Sequence, residues 1–158
     1  MPSILHRAAG TALIAALGAA LAGCGHGDGH GGGAGHGHAP LYGGTLVELG
    51  DHYANLEVVF DPDAGRLTLY LLDAHADGAV KGPQTEIPLT LTAGERTLDL
   101  AALPVVSALA GNEVGSSSEF AVAEPGLVGL ERFELAIPTV EVRGQTFRDV
   151  RYRHPPED

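Results

Sequence analysis

Four of the eight histidines, His26, His30, His36 and His38, fall on even positions of a tract in which every odd position from Gly25 to Gly37 is glycine. Asp28 takes a further even position, so the tract is an Xaa-Gly repeat. Neutral imidazole is a good ligand for zinc, copper and nickel, and glycine lets a backbone bend until several rings face one ion. The same freedom limits affinity, because ordering glycine costs more conformational entropy than ordering any other residue. The expectation is a weak, adaptable site built from His26, His30, His36 and His38, with Asp28 as an oxygen ligand. A low-complexity tether that happens to contain histidine fits the same composition.

Weaker candidates follow in the rest of the chain. His52 stands beside Tyr53 at the expected start of a strand, and Asp73, His75 and Asp77 are spaced two apart ahead of Gly78. That spacing resembles the opening of a calcium loop, but the twelfth position is Gln84 rather than the bidentate glutamate such a loop needs. A polar turn between strands explains the segment equally well, and His75 between two carboxylates suits a transition metal better than calcium. His154, near the C-terminus, is a weaker candidate than His52. No H-E-x-x-H, G-x-S-x-G or phosphate-binding glycine loop occurs, so no residue points to catalysis and no enzymatic activity is expected.

The segments ahead of these residues say where they work. Residues 1–23 hold one early arginine, Arg7, and an apolar run from Ala8 to Leu21 that is short for a bilayer of about 30 Å. The run ends in Leu21-Ala22-Gly23-Cys24, which resembles a bacterial lipobox. This implies a signal peptide over 1–23, cleavage before Cys24 and diacylation of its sulfur. Cys24 is the only cysteine, so the lipidated chain has no thiol left for a disulfide, a nucleophile or a thiolate metal site. Gly25 is not the aspartate that retains lipoproteins in the inner membrane, which leads to an outer-membrane anchor facing the periplasm. Residues 24–40 then form a disordered linker, and its 16 residues from Gly25 to Pro40 would span roughly 20 to 25 Å as a glycine-rich coil.

Residues 41–158 are enough for one small domain. The formal charge of -11 excludes nucleic acid as a partner, because phosphate binding needs a basic patch. Apolar residues recur at every second position in short runs: Leu56, Val58, Phe60; Leu67, Leu69, Leu71; Ile87, Leu89, Leu91; Leu98, Leu100; Phe120, Val122; Phe133, Leu135, Ile137; Val140, Val142. Turn residues such as Asp61-Pro62-Asp63-Ala64-Gly65 separate them. This predicts an all-β domain, a small antiparallel sandwich or barrel of about seven or eight strands. Phe147 and Val150 are out of phase, which suggests a bulge. Pro88 and Pro138 suggest edge strands. Residues 101–118 fit either a long loop or a loop with one helical turn.

The stretch from Tyr42 to Asp77 is similar to a small periplasmic domain that accompanies bacterial heavy-metal efflux systems. The similarity rests on Gly43-Gly44, the Leu49-Gly50-Asp51 turn, the Leu56-Glu57 strand and the Leu67-Thr68-Leu69-Tyr70 strand closing in Leu72-Asp73. Ser116 to Phe120 matches a later motif of the same domain. Tyr42 and Asn55 stand where that family carries histidine. The resemblance implies periplasmic metal handling beside heavy-metal efflux components. Together these features lead to a lipid-anchored metal-binding protein for copper, zinc or nickel, with the membrane as a partner through its lipid. The alternative is a non-catalytic structural or protein-interaction lipoprotein whose His/Gly tract is only a tether.

Overall fold

A computed structural model describes residues 38–156. Eight strands follow in chain order: β1 (Thr45–Leu49), β2 (Ala54–Asp61), β3 (Arg66–Leu72), β4 (Ile87–Ala93), β5 (Arg96–Pro104), β6 (Glu119–Ala123), β7 (Phe133–Val142) and β8 (Gln145–His154). They make one antiparallel sheet in the order β1-β2-β3-β6-β5-β4-β7-β8. The sheet curls until β1 and β8 face each other across a seam lined by Val47, Glu48 and Leu49 on one side and Phe147 to Arg151 on the other. The all-β expectation therefore takes the form of a nearly closed barrel. Among the described residues the only helical element is a 3-10 turn at Pro125–Leu127.

Alternation builds the core. Leu56 and Val58 from β2, Leu67, Leu69 and Leu71 from β3, Ile87, Leu89 and Leu91 from β4 and Phe120 from β6 are all buried in one cluster with β7 and β8. Each such side chain contributes about 1.5–3 kcal/mol of burial free energy, so a domain without a cysteine to form a disulfide has its stability in this interior.

The expected bulge at Phe147 and Val150 takes a different form. β7 and β8 keep one register throughout, from Phe133 opposite His154 to Val142 opposite Gln145, so neither strand carries an extra residue. Instead both change the face they bury at the same level: Ile137 then Val140 in β7, Phe147 then Tyr152 in β8. At that level Pro138 has no amide to donate, and Asp149 sits in the left-handed region at φ 54°. Nor are Pro88 and Pro138 on edge strands, since β4 and β7 are both interior. The β4–β7 ladder runs from Thr90–Ala136 to Thr92–Glu134. Carried two residues further, that register sets Pro88 level with Pro138, so the two prolines mark where the ladder stops. Residues 105–118 contain no helical turn and form a loop closed by Ser107–Asn112 and Glu113–Ser116 bridges.

A clasp fastens the segment ahead of β1. Glu57 of β2 is fully buried on the outer face of the sheet, and its carboxylate accepts backbone N–H bonds from Leu41 (2.8 Å), Tyr42 (2.8 Å) and Gly44 (2.7 Å). Tyr42 stacks on Tyr70 with ring centroids 3.8 Å apart. Gly44 is required by the close approach: a Cβ there would lie 2.4 Å from the Val58 carbonyl oxygen and 2.8 Å from Val59 Cγ2. Gly44→Ala is expected to destabilise the domain by about 3 kcal/mol, measured by urea denaturation. Wild-type stability in that variant would show that the clasp does not form as described.

Candidate metal centre

Because neighbouring strands alternate in direction, four connections meet at one end of the barrel: the β1–β2 turn, the β3–β4 segment, the β5–β6 loop and the β7–β8 turn. Two of them carry histidine, and the segment ahead of the clasp brings a third. His38 lies between the others, its ring centroid 5.4 Å from that of His75 and 6.4 Å from that of His52. With zinc–nitrogen bonds of about 2.1 Å, two imidazoles on one tetrahedral ion hold their centroids about 5 Å apart. The His38–His75 spacing is thus close to that of two imidazoles on one ion, and the His38–His52 spacing is wider.

His52 is presented by a tight turn. It adopts φ 51°, in the left-handed region uncommon for a residue with a side chain, following Gly50 at φ 71°. Glu48 holds that conformation by accepting the His52 backbone N–H at 2.8 Å, with the same oxygen 3.7 Å from His52 Nδ1. Glu48, Asp51 and His52 bring one ligand atom each to within 4.8 Å of one another, all on exposed side chains. Donors on one tetrahedral ion sit about 3.3 Å apart, so this trio would have to draw closer together to hold one. Beneath the turn, Tyr53 Oη donates to the Arg143 carbonyl at 3.1 Å and ties it to the β7–β8 turn.

His75 is presented by a loop whose carboxylate is already engaged. Asp73 Oδ1 accepts the backbone N–H groups of His75 (3.1 Å) and Asp77 (3.0 Å). Partial burial works to raise the Asp73 pKa, but backbone N–H groups of Asp77, His75 and Gly78, with Arg143 nearby, together hold it below its ordinary value. The buried Asn55 amide supports the loop from below, donating to the carbonyls of Asp73 and Ala74, both at 3.0 Å. Asp73 therefore caps its own turn through Oδ1, whereas Asp77 is exposed beyond it. Gln84, at the twelfth position of the calcium-like spacing, has both amide atoms buried and unpaired. No calcium loop is formed.

A folded-state pKa below the unfolded one stabilises the loop above the ordinary carboxylate pKa, and that stabilisation is lost as pH falls through the lower folded value. Protection of the His75 and Asp77 amides, measured relative to their intrinsic exchange rates, is expected to fall only in strong acid; loss of that protection already near neutral pH would show that Asp73 does not cap the turn.

The remaining candidates separate cleanly. His26, Asp28, His30, His36 and Cys24 lie outside the described residues. His154 is at the opposite end, beside a cleft of about 510 Å³ that also has Thr92, Arg132 and Phe133 in its walls. It packs against Phe60 and Phe133, meets the Tyr152 hydroxyl at 3.0 Å, and burial lowers its pKa. This is a packing role for a neutral ring. Sequence reasoning missed Glu48 and Asp51. The signal for them is the Glu48-to-His52 spacing across a turn, which sets both on one rim.

The two positions that depart from the efflux-associated pattern have structural duties here. Asn55 holds the His75 loop, and Tyr42 gives its N–H to Glu57. Comparison of the chain with protein-family models, with curated proteins and with solved structures finds no match.

Proposed function

We propose that this chain is a lipid-anchored, periplasm-facing lipoprotein that binds copper, zinc or nickel and serves metal homeostasis or efflux without catalysis. One observation carries the reading: His38, the last histidine of the glycine-histidine tract, stands between His52 and His75 of the barrel, with Glu48 and Asp51 beside His52. Three imidazoles with carboxylates at the rim suit borderline divalent ions better than magnesium or calcium, which favour all-oxygen sets. His26, His30 and His36 precede the cluster in sequence and would supply further, weaker sites from which an ion passes to it.

The test is a titration of the mature chain with zinc, copper and nickel by calorimetry, with histidine ring resonances followed by NMR. Expected are shifts of His38, His52 and His75 at the first equivalent, with His154 unmoved. First-equivalent shifts confined to other histidines would move the site into the tract, and the absence of binding would favour the interaction-module alternative.

A further inference from the structure

The β5–β6 loop shares the histidine-bearing end of the barrel, and its composition is unlike the rest of this acidic chain. From Leu100 to Asn112 there is no charged side chain. Leu109 is fully exposed at the tip, flanked by exposed Ala108, Ala110 and Gly111, while Leu103, Val106 and Val114 are each more than half exposed. Such a concentration of exposed apolar side chains marks an interaction surface.

The loop is also held in shape. Ser107 and Asn112 exchange backbone bonds at 3.0 and 2.9 Å, Ser107 Oγ accepts the Ala110 N–H at 3.2 Å, and Lys81 Nζ donates to the Gly111 carbonyl. Asn112 is buried, and its Oδ1 accepts from both the backbone N–H and the hydroxyl of Ser118. An apolar tip pinned this way is ordered before anything covers it, which lowers the entropy cost of docking.

What covers it follows from where the chain leaves the barrel. His38 lies against His52 and His75 at this same end. Only 13 residues lie between it and Cys24, so a lipid on Cys24 would be tethered close to this end in sequence. If Cys24 carries lipid, the end of the barrel bearing His38 is the end held against the bilayer, and the apolar loop is on that end.

We infer that the β5–β6 loop is a membrane-docking element: Leu109 at its tip, with Val106 and Val114 of the same loop, enters the interface of the bilayer in which the lipid of Cys24 is anchored. This rests on the anchor of the proposed function. Apolar side chains at this depth gain by leaving water, while Glu113 beside Val114 stays at the headgroup level. A diacylated Cys24 holds the chain to the bilayer by itself; docking of the loop would orient the barrel and set the metal-binding rim at the membrane surface.

The test uses the full, lipid-modified protein. Since Cys24 would be a thioether, Leu109→Cys introduces the only reactive thiol, and Asp63→Cys in the β2–β3 turn at the far end is the matched control. Each is labelled with an environment-sensitive fluorophore and reconstituted on vesicles of phosphatidylethanolamine and phosphatidylglycerol. The expected result is a blue-shifted emission at position 109, quenched several-fold more than position 63 by nitroxide-bearing lipid. Water-like, unquenched emission at 109 on protein that floats with the vesicles would overturn the inference and turn the loop over to a protein partner. A mature chain whose Cys24 is unacylated by intact mass, and which does not float, would remove the anchor and the inference together.

Discussion

His75→Ala is expected to weaken zinc binding by the folded barrel at least tenfold, a loss of about 1.4 kcal/mol or more, with thermal stability of the metal-free protein unchanged. His75 is exposed, and its side chain enters no hydrogen bond among those described, so its removal leaves the fold's interior untouched. His52→Ala should do the same, and the double variant should be weaker than either. The same measurement carries a pH test. Imidazole must be unprotonated to bind, so a three-histidine site loses affinity on acidification. Because protons compete for all three rings, the loss should be steeper than a single imidazole ligand would give. Affinity that persists at pH 5.5 would assign the ion to Glu48, Asp51 and Asp77 instead of the imidazoles.

How much of this was legible in the chain depends on whether the deciding contact is local. The strands were: Leu67, Leu69 and Leu71 declare a half-buried strand by period alone, and Asp61 to Gly65 close the hairpin with turn chemistry. The shape of β7 and β8 was not, because the change of buried face at Pro138 and Asp149 is a matched event in two strands, and a sequence shows only one at a time. The prolines misled for a similar reason. Pro88 and Pro138 are tolerated inside the sheet because they are level with each other, so neither deprives a partner of a donor. At the site, His38, His52 and His75 were each visible as ligand types, but they are 14 and 23 residues apart in sequence. Their meeting depends on strand order. Sequence could not show that Oδ1 of Asp73 is engaged by the backbone of its own turn.

The largest structural effect is expected at Glu57, a residue that alternation assigns to the solvent face of β2 and that is instead fully buried under the clasp. Glu57→Ala removes three charge-assisted bonds and leaves the N–H groups of Leu41, Tyr42 and Gly44 without their acceptor. Each bond to a charged group contributes about 1.5–3 kcal/mol, but the full sum will not appear as lost stability. Residues 38–44 are joined to the barrel on one side only, so they can peel away and regain water as donors' partners. The loss is then capped at about 3 kcal/mol, or about 10 °C in the melting temperature of a domain this size. Peeling has a second consequence that a mere weakening of the core would not. It withdraws His38 from His52 and His75, so metal affinity should fall to that of His38→Ala although Glu57 touches no ligand. Adding His38→Ala to Glu57→Ala should then cost nothing further, the non-additivity expected when two changes remove one and the same contact. Glu57→Gln should fall between, since its carbonyl oxygen can still accept from Tyr42 and Gly44 while its amide opposes the Leu41 donor. Full additivity of the two alanine variants in calorimetric titration would show that the clasp and the metal centre are independent, and that His38 reaches the rim without it.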